Sequence, residues 1–204
     1  MKFMLIYTIT SKLLANIKRI SSLVNDLNDR RFPNVILVEF ERVARAVSTY
    51  ASTSIEGNPL PLTEVKKILK SKPANIRDSE KEILNYNRAL QDLNIALKAG
   101  SLNLSLDLIL KIQKQVTSGL LPPLESGNLR KNPVVINEPG TRKIVYMPPD
   151  SKDVKPLMED LTQFVNSSKS KIDPLILAGI FHKQMVLIHP FMDGNGRTAR
   201  LATK

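Results

Sequence analysis

The residues with chemistry to offer crowd into one stretch of twelve, His189-Pro190-Phe191-Met192-Asp193-Gly194-Asn195-Gly196-Arg197-Thr198-Ala199-Arg200. Gly194 and Gly196 permit tight backbone turns and let main-chain N–H groups come close to an anion. Arg197, Thr198 and Ala199 can open a helix, whose N-terminal dipole adds to the same attraction. A polyphosphate fits such a cradle. Arg197 and Arg200, three apart on one helix, can clamp its outer oxygens. Asp193 is a hard oxygen ligand of the kind Mg²⁺ takes when it also binds phosphates. His189 can accept a proton from an incoming hydroxyl. Taken singly, each has a plainer explanation: a capped histidine, a turn, two solvated arginines. Together they describe a general base, a metal carboxylate and a phosphate cradle.

Composition narrows the setting. The chain has 204 residues, 42% of them hydrophobic, enough for a sizeable core. It has no cysteine, which excludes a disulfide scaffold, a thiolate nucleophile and a cysteine zinc site. Two histidines, His182 and His189, leave little for a histidine metal site. His182 lies seven residues before His189, which is not a metal-pair spacing on a helix, so it takes no catalytic role. The net charge of +11 is spread along the chain and suits nucleotides, nucleic acid or acidic proteins. Aromatics at 5% and the lack of a basic cluster argue against a nucleic-acid module. Apolar runs are too short to span a bilayer. The Lys2–Tyr7 start is too short and interrupted for a secretory signal, so it is expected to be helical and the chain cytoplasmic.

The elements that must position these residues are mostly helices. Leu13, Leu14, Ile17, Ile20, Leu23, Val24 and Leu27 form one helical stripe over 11–29. A second helix is predicted over about 35–50, with a stop and turn through Ser52–Pro59. Thr63 is predicted to cap a third, and further helices are expected over 79–98, 105–118 and 154–165. Val134–Ile136 and Ile144–Tyr146 are β-type runs with a hairpin turn at Glu138-Pro139-Gly140. Asp173-Pro174 marks a helix start, an N-cap acceptor followed by proline at the first helical position. The helix after it is apolar nearly all round and should be the buried central one, closed by His189-Pro190. The expected fold is all-α with one small β-hairpin.

The twelve-residue stretch resembles the Fic motif, His-x-Phe-x-Asp/Glu-Gly-Asn-Gly-Arg-x-x-Arg, at every defined position. Gly127-Asn128-Leu129-Arg130, Tyr146-Met147-Pro148-Pro149 and the 174–188 helix also fall where Fic proteins have similar elements. The resemblance implies a helical core over 101–204 with a hairpin flap, preceded by a helical region over 1–100. It implies a protein adenylyltransferase, which moves AMP from ATP to a Ser, Thr or Tyr hydroxyl of a target protein and releases pyrophosphate. His189 would deprotonate the hydroxyl. Asp193 would hold Mg²⁺. Gly194, Asn195 and Gly196 would form the anion hole, and Arg197 and Arg200 would bind the β- and γ-phosphates. Phe191 would pack into the core, and the flap, about Val134–Tyr146, would hold the target as an added strand.

Ser52-Thr53-Ser54-Ile55-Glu56-Gly57 resembles the family's inhibitory pattern, Ser/Thr-x-x-x-Glu-Gly/Asn. A carboxylate on Arg200 takes the place the γ-phosphate needs, so Ser52, Glu56 and Gly57 are expected to auto-inhibit the site. Asn58-Pro59-Leu60 and the Glu82–Leu90 helix are also similar to that class. Within the family, removal of AMP, with Glu56 orienting a water, is the alternative, and phosphocholine transfer stays open. The Doc branch carries Lys where this chain has Gly196. From another class comes an inactive nucleotide-binding module: only four residues follow Arg200, and so short a helix would hold that arginine loosely. Self-association is a further expectation, as some relatives show it.

Overall fold

The computed structural model describes residues 7–71, 75–100, 102–138, 140–141 and 143–204. Residues 2–6 and Pro139 of the expected turn lie outside the described residues. Ten elements follow in order: α1 (Ser11–Asn28), α2 (Asn34–Ile55), α3 (Leu62–Lys70), α4 (Asp78–Lys98), α5 (Leu106–Val116), β1 (Ile136–Asn137), β2 (Ile144–Tyr146), α6 (Ser151–Ser168), α7 (Pro174–Ile188) and α8 (Asn195–Ala202). No helix among the described residues is long and apolar enough to cross a membrane. The chain divides into two compact units at Ala44/Arg45, inside α2.

The smaller unit holds α1 and the first half of α2. Thr10 caps α1 by accepting from the Leu13 amide. Its helical stripe is as the periodicity predicts, yet no residue of α1 is buried. Phe32 and Phe40 meet edge to face within this unit, with centroids 5.8 Å apart.

The larger unit carries the core. α7 lies at its centre as expected, but is buried on one face and not all round: Leu177, Ile180, Phe181, Met185 and Ile188 are buried, while Leu175 is 46% exposed. The Asp173 carboxylate accepts from the Leu175 amide, and Pro174 opens the helix. Leu177, Phe181, Met185 and Ile188 of α7 pack on Val154, Met158 and Leu161 of α6 and on Ile109 of α5. A second cluster joins Tyr86, Leu90 and Leu93 of α4 to Ile112 and Val116 of α5 and Leu201 of α8. α8 has only eight residues, a length that is marginal alone. Ala199, with no exposed surface, and Leu201 at 1% anchor it in these two clusters.

Several boundaries differ from the sequence reading. α2 runs to Ile55 and not to about Tyr50, so Ser52 lies inside the helix and the stop comes at Gly57. Thr63 is inside α3; the N-cap is Pro61, without a side-chain cap. α6 starts at Ser151, three residues before the expected start, and carries Pro156 in its second turn. One missing N–H there is outweighed by a face with five fully or nearly fully buried apolar side chains. β1 is Ile136–Asn137 and pairs antiparallel with β2, Ile136 opposite Tyr146 and Asn137 opposite Ile144. Val134 and Val135 precede it.

Candidate active site

The site begins where α7 ends. The chain leaves α7 through His189 in the left-handed conformation, φ 49° and ψ 61°. It is the single non-glycine residue with positive φ among the described residues. That geometry suits a helix end, where the His189 amide donates to the Met185 carbonyl at 3.0 Å. For a residue with a Cβ it costs about 1 kcal/mol. Arg130, 3% exposed in the loop between α5 and β1, braces this corner. Its Nε donates to the His189 carbonyl at 2.7 Å, and its amide donates to the Pro190 carbonyl at 2.9 Å.

His189 is half-buried, and its Nδ1 is buried. Burial pushes the imidazole pKa down, and the Arg130 charge pushes the same way. The Val186 carbonyl, Glu56 and Asp193 oppose them. The net direction is downward, so the ring stays neutral near pH 7, the form a general base needs.

After His189 the chain turns into α8. Phe191 has no exposed surface and pins the loop to the core. The Asn195 side chain grips the Phe191 backbone at both ends: Oδ1 accepts from the amide at 2.9 Å and Nδ2 donates to the carbonyl at 2.8 Å. Asn195 thus shapes the loop with its side chain, and offers an anion its backbone N–H. Gly194, at φ 79°, is the N-cap of α8. A Cβ there would lie 2.9 Å from Thr117 Cγ2, so both torsion and space require glycine. The first amides of α8, from Asn195 to Arg197, have no intrahelical acceptor and form the anion-binding end.

The two arginines take different partners. Arg197 is 4% exposed. Its Nη2 meets Asp193 Oδ2 and its Nη1 meets Glu82 Oε1 of α4, each at 2.7 Å. It braces Asp193 and already shares its charge with two carboxylates. Arg200, one turn further along α8, meets α2. Its Nε donates to Ser52 Oγ at 2.7 Å, and its Nη2 donates to the Ser52 carbonyl at 2.9 Å and to Glu56 Oε1 at 2.5 Å. The expectation of a loosely held Arg200 is not met, because α8 is packed and the guanidinium has three acceptors.

The aim of Glu56 follows from how α2 ends. Ser52 and Glu56 are four apart, so they share a face. The Asn58 amide donates to the Thr53 carbonyl at 3.1 Å and the Gly57 amide to the Ser54 carbonyl at 3.0 Å. This is a Schellman ending, with Gly57 at φ 92° as its left-handed residue. Asn58 then ties the end to α4, donating to the Ser79 carbonyl at 2.9 Å and to Glu82 Oε2 at 2.6 Å. Gly196 makes room: a Cβ there would overlap the Glu56 carboxylate.

Asp193 is exposed, and one of its two oxygens is taken by Arg197. No cluster of three or more His, Cys, Asp or Glu side chains that could hold a metal occurs among the described residues. A single carboxylate fits Mg²⁺ bound mainly by phosphates and water, and does not fit a resident all-protein metal site.

Three supporting residues were not assigned roles from sequence. Glu82 shares the buried face of α4 with Tyr86 and Leu93, and a carboxylate in that register was a legible signal. Gln113, fully buried on α5, donates to the Asp193 carbonyl at 3.1 Å and accepts from the Gly127 amide at 2.5 Å. Arg130 is the third. The flap reaches the site through Tyr146, whose hydroxyl donates to the Leu187 carbonyl at 3.0 Å. His182 stands apart, with Nδ1 3.1 Å from Thr203 Oγ1.

Comparison with known proteins places the fold. The Fic/DOC family model covers residues 103–204. A Drosophila virilis protein, "Protein adenylyltransferase Fic", is 30% identical over 94% of this chain and 41% of its own. The chain spans about two fifths of the length of the curated relatives it matches. Fic-1 of C. elegans, residues 134–508, superposes with TM-score 0.74 at 29% identity, over 95% of this chain and 57% of that one. A Fic-domain signaling protein from Bacteroides thetaiotaomicron shares the fold, with TM-score 0.77 at 23% identity, over 92% of this chain and 71% of that one. With half its length under the family model and its twelve-residue motif folded around one corner, the chain belongs to the Fic/DOC family.

Proposed function

We propose that the chain is the catalytic core of a protein adenylyltransferase, held off by its own Glu56. One observation carries the reading: His189 and the α8 N-terminus stand together at one corner, while Arg200 is taken by Ser52 and Glu56. The adenylyltransferase names of relatives at 30% identity support the choice of reaction.

In this mechanism the ATP phosphates lie against the first amides of α8. Neutral His189 takes the proton of a Ser, Thr or Tyr hydroxyl as its oxygen attacks the α-phosphorus. The α–β phosphoanhydride bond breaks and pyrophosphate leaves. Asp193, oriented by Arg197, would hold Mg²⁺, which supplies charge neutralisation to the phosphates. Catalysis is then positioning plus preorganised charge. Arg197 is already engaged by Glu82 and Asp193, so the outer phosphates fall to Arg200. Glu56 competes for that guanidinium and leaves ATP misplaced. The flap holds the target segment as an added strand.

Intact mass after incubation with ATP and Mg²⁺ tests this, using Glu56→Gly and the Glu56→Gly/His189→Ala double variant. The expected result is a gain of one AMP in the first and none in the second. Transfer that survives His189→Ala overturns the base assignment. Nucleotide binding without any transfer points to an inactive module, and a gain of a different mass points to another donor.

A further inference from the structure

We propose that Arg130 is a positioning residue for His189, its guanidinium fixing the base and the exit of the flap relative to each other. The inference rests on the transfer reading above for its kinetic consequence, and on geometry alone for its structural part.

Arg130 spends its donors on backbone carbonyls. Nε reaches the His189 carbonyl at 2.7 Å, Nη2 reaches Pro149 at 2.5 Å and Ile188 at 3.4 Å, and Nη1 reaches Asn132 at 3.2 Å. At 3% exposed it forms no salt bridge among the described residues. A buried cation is costly unless charges or dipoles compensate it, and here the Asp150 carboxylate acts from beyond salt-bridge distance while backbone carbonyls make the direct contacts. The carbonyls of Ile188 and His189 lie at the C-terminal end of α7, where the macrodipole is negative and carbonyls lack intrahelical donors.

The corner needs such a brace. A left-handed helix end is normally given to glycine. Glycine at 189 would relieve the backbone and remove the base. The chain keeps histidine in that conformation, and the Arg130 side chain and amide hold the successive carbonyls of His189 and Pro190. The same guanidinium grips Pro149, just past β2, and Asn132, just before β1. Both feet of the hairpin and the base therefore share one planar fork. Lysine carries its three donors on one point-like nitrogen, and could not span the set.

The test uses Arg130→Lys and Arg130→Met in the Glu56→Gly protein. Four quantities are measured: single-turnover transfer rate, ATP affinity, melting temperature, and the ring-proton NMR resonances of the two histidines, assigned with His182→Gln. Expected is a rate about 100-fold lower, the size of effect a displacement of about 1 Å produces. ATP affinity stays within about twofold, because the α8 amides and Arg200 do not contact Arg130, and Lys recovers part of the rate that Met loses. His189 resonances move in the folded Arg130→Lys protein and His182 resonances do not. Rate loss that follows ATP affinity, or unmoved His189 resonances in a folded variant, overturns the proposal. If Glu56→Gly transfers nothing, the transfer reading fails, and the His189 resonances alone decide the positioning role.

Discussion

His189 titrates under opposed influences, and their net sign makes a kinetic prediction. Desolvation and Arg130 lower its pKa from the ordinary 6.5, against the Val186 carbonyl, Glu56 and Asp193. In Glu56→Gly one of the raising charges is gone, so the pKa falls further. The acid limb of the transfer rate at sub-saturating ATP, which reports the free enzyme, is expected to have its midpoint below 6.5, measured as single-turnover rate against pH. A midpoint above 6.5 would mean that the titrating base is not this buried imidazole. The same shift bears on stability. The unfolded chain takes up this proton more readily, so His189 opposes folding increasingly as pH falls below 6.5 and does not above it. Gly196 gives a second residue-scale prediction. Its missing Cβ is the space Glu56 occupies. Gly196→Ala should lower the urea unfolding free energy by about 1 kcal/mol or more in the parent. It should cost less in Glu56→Gly, where the carboxylate is gone, and equal costs in the two backgrounds would remove the steric coupling.

The Ser52–Gly57 pattern is an instruction for how a helix stops. Ser52 and Glu56 bracket Arg200 because α2 continues through Ile55, and Glu56 is aimed because Gly57 turns left-handed after it. Nothing lies within 4 Å of a Cβ at Gly57, so Gly57→Ala pays for its torsion alone, about 1 kcal/mol. The expected outcome is a lower melting temperature and residual AMP transfer raised above that of the parent. Lower stability with no rise in transfer would mean that Glu56 is aimed independently of the helix ending. At this scale sequence was informative where a local rule governs. Asp173-Pro174 marked α7, while the pairing of Glu56 with Arg200 came from the resemblance to the family's Ser/Thr-x-x-x-Glu-Gly/Asn pattern and not from spacing alone. Sequence misjudged the end of α2, since Thr53, a weak helix former, is held by burial and by its hydroxyl on the Thr49 carbonyl at 3.0 Å. It started α6 at about Val154, three residues late, because the buried face that holds the helix together around Pro156 is tertiary. Glu82, Gln113 and Arg130 gained no role from sequence for a related reason. Their partners lie 115, 80 and 59 residues away along the chain, at Arg197, Asp193 and His189.

The two units differ in what holds their helices, and that difference sets a stability gradient. α7 and α5 contribute Met185 and Ile109, neither with exposed surface, to the main core. Their amides should exchange with solvent only through near-global unfolding, at a free energy of about 5–15 kcal/mol. α1 has a well-formed apolar stripe and buries none of it: Leu14 is 54% exposed, Leu23 57% and Leu27 61%. An 18-residue helix without buried contacts is held by its own hydrogen bonds and the Thr10 cap, and such a helix is marginal in water. Native-state hydrogen exchange at low micromolar concentration should therefore show α1 amides at least about a thousandfold less protected than those of α7. Equal protection would mean that the stripe is covered in solution. Repeating the measurement at higher concentration identifies the cover, since protection that rises with concentration is the mark of a second copy of the chain.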